Sequence, residues 1–370
     1  MVDESERRTL PGVSYVMPVL NEVEHVGQAI DSLLAQDYEG PFDVTLAVGD
    51  SDDGTDELLA RRQAQDERIV VVRNEPGSAP AGLNRAIRAS RYPVVVRVDA
   101  HSVLPPDYTR IAVETMLRTG ADNVGGVMDA RGETPFEQAV AAIYGSRLGL
   151  GGTRLHRGGV EGPAETVYLG VFRRESLVGA GLYDEGIRRG EDWELNRRIR
   201  QRGGLVWFTP RLRVLYRPRS RLSDLAWQFF STGVWRGELV RRFPTANGLR
   251  YWAPPALVLA LAAGIVVGLV GALRLGSGTG WLLVGFVPPV VYLAGVVAAA
   301  AAGRSSPSRA LWFLVALPTV HTCWGVGFFV GVAALARDLQ SYSGRRTVTP
   351  FRPGSSAARR AGRRGRRREG

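Results

Sequence analysis

VVVRVDAHS, residues 94–102, is the stretch on which the fold turns. A run of β-formers ends abruptly in Asp99, a small Ala100, then His101 and Ser102. β-Branched side chains are stiff at χ1 and favour extended backbone, and a run apolar on both faces belongs in a sheet covered on both sides. The ending has two readings. Asp is a common place for a strand to stop; equally, the carboxyl end of a buried strand can deliver ligands to a cation and a phosphate.

Working outward, residues 13–20, 42–48 and 69–73 are further expected strands. They alternate with helical stretches over 23–35, about 55–64 and 80–89. Val26, Ile30, Leu33 and Leu34 share one face of the first of these helices. Continuous apolar strands separated by amphipathic helices predict an α/β fold with a parallel sheet covered on both faces. Ligands of such sheets sit beyond the carboxyl ends of the strands. That places Asn21 and Glu22, the loop 50–53, and Asp99 with His101 on one rim.

Residues 134–215 continue as a mixed α+β region with a glycine-rich loop, GLGGTRLHRGGVEG, at 149–162. The loop is a candidate to close on a substrate, or simply a connector. Residues 221–242 carry Leu222, Leu225, Phe229, Trp235 and Leu239 among several arginines. This pattern suits a helix lying at a membrane interface, and equally one packed on the catalytic core.

Three apolar stretches follow, at 253–273, 281–302 and 310–335, and none contains Asp, Glu, Lys or Arg. Each reaches the roughly twenty residues needed to cross a bilayer. GIVVG (264–268) and GFFVG (327–331) are weak signals for close helix packing. The chain has 47 basic residues, all arginine, and a net charge of +11. From Arg337 onward there are eleven arginines against Asp338 and Glu369, or +9 of that total. Arg236, Arg241, Arg242 and Arg250 precede the first apolar stretch. Basic flanks favour the cytoplasmic side, yet three crossings would put these two groups on opposite faces. An even number of crossings resolves the conflict, with Pro288–Pro289 and Pro318 as places where a segment could bend or stop short. The single cysteine, Cys323, lies in an apolar stretch and excludes an internal disulfide. The N-terminus lacks the apolar core of a cleavable signal, so the soluble part is expected in the cytoplasm.

Chemistry gathers at strand ends. PVLNE (18–22) closes the first strand, and Glu22 there suits either a donor contact or a helix start. GDSDDGT (49–55) closes the second with three aspartates, in an arrangement that also makes an ordinary turn and cap. Asp99 and His101 can face one ion if the backbone turns after the strand, and a carboxylate with an imidazole suits Mn²⁺ better than Mg²⁺. In GEDWELNRRIRQRGG (190–204), Glu191 and Asp192 open a helix. First-turn acids stabilise a helix; the functional alternative is a general base.

PVLNE, the DGT loop, Asn84 in AGLNRAI, DAH and GEDWELNRRI occur in an order that resembles glycosyltransferase family 2, enzymes of the GT-A fold. YLGVFRRESL, WQFFSTGVWRGEL and the apolar C-terminal third are similar to its membrane-bound succinoglycan-glucosyltransferase-like branch. The resemblance covers about residues 12–335. It implies a GT-A catalytic domain with a mostly parallel central sheet over 12–220, after a tail of 1–11. An amphipathic interface helix over 221–250, transmembrane helices over 251–336 and a disordered Arg-rich tail over 337–370 complete the expected organisation. It further implies that Asp99 and His101 hold a divalent cation, Mn²⁺ or Mg²⁺, and the donor diphosphate, with His101 in place of the family's usual final acid. Asp192 stands at the position of the catalytic base. Pro18, Glu22, Asp53 and Asn84 stand at donor-binding positions, and Glu191, Gln228, Trp235 and Arg236 are candidates for the acceptor side.

Three departures matter. The usual VDDGS is AVGDS here, so the base-reading aspartate is missing from its register: either Asp50 substitutes for it or the base is read differently. The family's late histidine is Tyr216. The QxxRW motif of processive synthases is absent, with Trp235–Arg236 falling seven residues after Gln228. The resemblance therefore implies inverting transfer from a nucleotide-diphosphate sugar, with a UDP-sugar as the expected donor, to a lipid-linked or polysaccharide-precursor hydroxyl at the cytoplasmic face of the cell membrane. A processive polysaccharide synthase and a non-catalytic membrane scaffold are the competing readings. The arginine tail is expected to contact anionic lipid rather than any specific nucleic acid.

Overall fold

The computed structural model describes residues 10–150, 153–274, 278–303, 306–336 and 338–343. Most of the expected N-terminal tail and of the Arg-rich tail lies outside the described residues. The chain forms two compact units: one takes the residues up to Asp129 and Thr153–Tyr216, the other Ala130–Gly152 and the residues from Arg217 on.

The elements run β1 (Val13–Val19), α1 (Val26–Leu34), β2 (Phe42–Val48), α2 (Thr55–Gln65), β3 (Ile69–Arg73), α3 (Ala79–Ala89) and β4 (Val94–Arg97). There follow α4 (Tyr108–Thr119), β5 (Asn123–Ala130), α5 (Pro135–Gly145), α6 (Arg154–Arg157), β6 (Gly162–Pro163), β7 (Tyr168–Arg173), α7 (Arg174–Gly179), α8 (Glu191–Gln201) and β8 (Val206–Tyr216). The C-terminal helices are α9 (Leu222–Arg242), α10 (Ala253–Leu273), α11 (Val287–Ala302) and α12 (Pro307–Val332).

The eight strands form one sheet in the order β3-β2-β1-β4-β7-β5-β8-β6. Its first half is parallel as expected, with Val13 level with Phe42 on one side and Val94 on the other. The second half turns mixed, since β7 runs antiparallel to both β4 and β5. Every residue of β1 is buried. Tyr15, Met17 and Val19 pack on one face beside Ile30, Leu33 and Leu59, while Val16 faces Leu83, Ile87 and Val95 on the other. Fully burying a side chain of that size contributes about 1.5–3 kcal/mol, so this two-sided core fixes where the carboxyl ends of β1, β2 and β4 emerge.

In the second unit, α10, α11 and α12, with their 3-10 flanks, are long and apolar enough to cross a membrane. Pro288 and Pro289 sit in the first turn of α11, where a missing N–H costs nothing, and so interrupt no helix. Pro318 lies inside an unbroken α12. The partner of the GFFVG stretch is α9: a Cβ on Gly327 or Gly331 would collide with the carbonyls of Phe230 and Val234. α9 answers with glycines of its own, Gly233 and Gly237, set against the carbonyls of Trp324 and Phe328. Within its unit, the helix expected over 221–242 is seated on the third apolar helix.

Candidate active site

The rim of β1 and β2 is stapled by its own polar groups. Asn21 adopts φ 51°, a left-handed conformation that Asn tolerates better than most residues. Its amide donates to Ser51 Oγ at 3.2 Å, and its side-chain carbonyl accepts from the Asp52 amide at 3.0 Å. The Glu22 amide donates to Thr55 Oγ1 at 2.9 Å and the Val23 amide to Asp53 at 3.1 Å. Asp53 also accepts from the Thr55 amide at 3.0 Å and the Thr55 hydroxyl at 2.5 Å. Burial opposes its charge, but these hydrogen bonds outweigh burial and hold the carboxyl below its ordinary range. Asp53 thus keeps the loop in shape, while Asp50 stands exposed and Pro18 is buried in β1.

Glu22 is buried and draws two imidazoles to itself, His25 at 3.4 Å and His101 at 3.6 Å. The carboxylate from the end of β1 therefore stands beside the histidine that follows β4. Carboxylate support of this kind fixes an imidazole's orientation.

Asp99 meets a residue that the sequence reading passed over. Arg97, the last residue of β4, is only 7% exposed and aims its guanidinium at three carboxylates. Nη2 lies 3.4 Å from Asp99 and 3.2 Å from Glu191, and Nη1 pairs with Asp192. Asp99 and Asp192, almost a hundred residues apart in the chain, thus share one cation. Three carboxylates around one guanidinium leave the cluster formally at −2. Burial, and next the Asp192 charge, push Glu191 up to about 7, against the pull of Arg97. Burial likewise raises Asp192, again opposed by Arg97. A carboxylate moved toward neutrality is better suited to accept a proton than one held low by its partners. The Tyr183 hydroxyl lies 3.4 Å from Asp192, and the Arg97 guanidinium is 6.0 Å from the Tyr183 ring. Tyr168 is held as the neutral phenol by burial and by the charge of Asp99, with Tyr216 a further neighbour.

The base candidate sits where backbone and packing aim it. Gly190 takes φ 80° at the cap of α8, a conformation glycine adopts without penalty, and turns the chain so that Glu191 and Asp192 open the helix. Trp193, Leu195 and Ile199 are buried, and Glu194 pairs with Arg198 at 2.6 Å. Asn84 holds the approach to this helix: its side chain donates to the Tyr183 carbonyl and accepts from the Tyr183 amide, each at 2.9 Å, and also donates to Glu185 at 2.9 Å. Expected on the donor side, Asn84 is found clamping the backbone at Tyr183.

The other acceptor candidates lie in the second unit and are engaged within it. Gln228 donates to the Tyr144 hydroxyl at 3.3 Å, Trp235 is 1% exposed, and Arg236 lies over the Tyr251 ring at 4.0 Å.

Among the described residues no group of three or more His, Cys, Asp or Glu side chains is arranged to hold a metal ion. Asp99 is engaged with Arg97 and His101 with Glu22, so the two would supply only part of a divalent cation's donor set, the remainder falling to diphosphate oxygens and water, the usual manner for Mg²⁺. The surplus negative charge around Arg97 favours a cation there.

A sheet whose carboxyl-end rim gathers acids from β1, β2 and β4, with a buried acidic pair at the head of α8, defines a GT-A-like sugar-transferase class. The chain belongs to glycosyltransferase family 2. The family described as "Glycosyl transferase family 2" is matched over residues 14–178. The chain is 32% identical over 332 residues to the succinoglycan biosynthesis protein ExoA of Rhizobium meliloti, covering 88% of this chain and 96% of that protein. It is 23% identical over 205 residues to the poly-β-1,6-N-acetyl-D-glucosamine synthase of Staphylococcus aureus, which is 54% of this chain and 48% of the synthase. Among solved structures, the mannosyltransferase of Pyrobaculum calidifontis, in complex with GDP-Man and Mn²⁺, superposes with a TM-score of 0.51 at 20% identity over 90% of this chain and 88% of that one. The family match stops short of Asp192, which the structure pairs with Arg97.

Proposed function

We propose that the protein is a membrane-anchored, inverting glycosyltransferase that moves a sugar from a nucleotide-diphosphate donor, a UDP-sugar being the expected one, to a hydroxyl of a lipid-linked or polysaccharide-precursor acceptor. One observation carries the reading: Asp99 and Asp192 converge on the buried Arg97, bringing a diphosphate-side acid and a base candidate together. The relation to ExoA, named for succinoglycan biosynthesis, supports an acceptor from polysaccharide assembly.

Asp192 takes the proton of the acceptor hydroxyl. The acceptor oxygen then bonds to the anomeric carbon from the face opposite the diphosphate, and the bond between that carbon and the phosphate oxygen breaks. Its electron pair leaves with the nucleotide diphosphate. Arg97 and Tyr183 keep the Asp192 carboxylate aimed during this transfer. Pro18, Glu22, Asp50, Asp53 and Asn84 shape the donor side, partly through the loop and backbone bonds described above. Asp99 and His101 would hold a divalent cation together with the donor diphosphate, and that cation would neutralise charge developing on the leaving group.

Membranes carrying the protein, incubated with a panel of nucleotide sugars and Mn²⁺ or chelator, should yield a lipid-extractable glycosylated product. Asp192→Asn should lower turnover by about 10²–10⁴-fold, the usual worth of a positioned base, while donor binding changes little. Turnover unchanged in that variant removes Asp192 from the role. A second reading, processive synthesis, draws on the similarity to the poly-N-acetylglucosamine synthase. It requires a ladder of long products on a defined acceptor, where the first reading requires a single addition.

A further inference from the structure

The three apolar helices of the second unit are not equivalent. α10 and the segment leading into α11 run antiparallel and close together. A Cβ on Gly264 would meet Gly285 and Pro289, one on Gly268 would meet Phe286, and one on Gly271 would meet Leu282. The start of α10 and the end of α11 therefore lie at the same end of this hairpin. α12 begins at Pro307, five residues after α11 ends at Ala302. At about 3.3–3.6 Å per residue, the link is too short to recross a bilayer. Further along α12, Gly325 is packed against Pro254 and Val258, and the Phe328 ring lies 5.1 Å from that of Trp252. These partners are the first turns of α10 and the residue before it. Both parts of α12 are thus anchored at one end of the hairpin, although about 27 Å of helix separates Pro307 from Gly325.

Its flanks agree. Besides α10 and α11, whose Tyr292 hydroxyl lies 2.9 Å from His321 Nδ1, α12 is lined by two helices too polar to cross a membrane. On one side are Phe136 of α5, 5.2 Å from Trp312, and the Leu148 carbonyl, which accepts from His321 Nε2 at 2.6 Å. On the other, α9 runs parallel to α12, with Phe230 against Gly327 and Val234 against Gly331. α9 carries Asp224 in its first turn and the Glu238–Arg241–Arg242 cluster near its end. Were α12 to cross, these charges would be drawn into the bilayer beside it, at a cost of roughly 2.5–3.5 kcal/mol for each one near the centre. Of its large hydrophobic side chains, α12 leaves Leu311, Trp312, Val315 and Val326 exposed, and Leu311, Val315 and Val326 form one stripe.

We infer that α12 does not cross the membrane. It lies in the interfacial layer between α5 and α9, with the Leu311–Val315–Val326 stripe toward the acyl chains, and only the α10–α11 hairpin crosses. The chain then crosses twice, and the C-terminal arginines return to the side of Arg236, Arg241 and Arg242. This inference is independent of the donor and of the transfer reaction.

Cys323 is the only cysteine, so a Cys323→Ser background gives a silent chain for single-cysteine mapping. Ser277→Cys, Ser306→Cys and Ser356→Cys report on the hairpin tip, the α11–α12 link and the tail. A membrane-impermeant maleimide is applied to intact and to permeabilised cells, with denatured protein as the reference for full labelling. The expected result is Ser277→Cys labelled in intact cells, and Ser306→Cys and Ser356→Cys labelled only after permeabilisation. Labelling of Ser356→Cys in intact cells would mean that α12 crosses and would overturn the inference. Protection of Ser277→Cys until permeabilisation would overturn it from the other side, by removing the hairpin crossing.

Discussion

Arg97 occupies a position where its charge cannot be relinquished and its partners cannot do without it. The guanidinium lies among Asp99, Glu191 and Asp192, and those charges, set against its burial, hold it protonated. Removing one partner of a buried ionic cluster typically costs about 3–5 kcal/mol, because like charges are left facing one another. Arg97→Met should therefore lower stability by about that amount in denaturant titration of the purified protein, and lower transfer as well. Arg97→Lys should recover only part of the loss, since a point charge cannot serve three carboxylates as a planar fork does. Equal stability in wild type and Arg97→Met would show that the cluster does not bind the site together. The residues of this site were unevenly legible. Asp99, His101 and Asp192 stand in motifs whose chemistry can be argued from spacing. Arg97 sits among valines, and its signal was slight: a single charge at a position that the strand pattern declares buried. Asn84 was visible as a motif member, but its work on the Tyr183 backbone depends on a loop a hundred residues away, which local sequence does not encode.

At the level of elements, the parallel half of the sheet follows from hydrophobic pattern alone, and β1, β2 and β3 match the expected strands nearly residue for residue. The antiparallel entry of β7 beside β4 does not, because pairing partners are a tertiary choice. α9 shows a different limit. Its arginines and aromatic residues suggest an interfacial helix, and amphipathicity says nothing of the GVWRG stretch (233–237) within it. Matched with GFFVG on α12, those glycines bring two backbones into contact, as small-residue pairs do in membrane helices. Gly237→Leu should therefore destabilise the second unit by about 1–3 kcal/mol through overpacking against Phe328, read as a lower melting temperature in detergent. Gly295→Leu on α11, where a Cβ would meet nothing within 4 Å, is the matched control and should leave it unchanged. Equal melting temperatures for the two variants would count against close α9–α12 packing.

On the scale of the whole molecule, charge is segregated rather than spread. Truncation after Ser343 removes ten arginines and Glu369, taking the net charge from +11 to +2. An arginine near an anionic membrane surface contributes about 1 kcal/mol, and that attraction decays within a Debye length. If the tail returns to the side of Arg236, Arg241 and Arg242, it adds to an existing basic belt instead of opposing it, and both act on the same leaflet. Full-length protein reconstituted in nanodiscs with a minority of anionic lipid should retain that lipid above its bulk share. The truncated chain should retain much less, and raised salt should erase most of the difference. The crossing proposed for α10 and α11 does not depend on the tail, because it rests on their apolar length and on the Gly264, Gly268 and Gly271 contacts. The truncated protein should therefore stay in the membrane fraction after an alkaline carbonate wash. Its release by that wash would mean that charge, and not the hairpin, holds the chain to the bilayer.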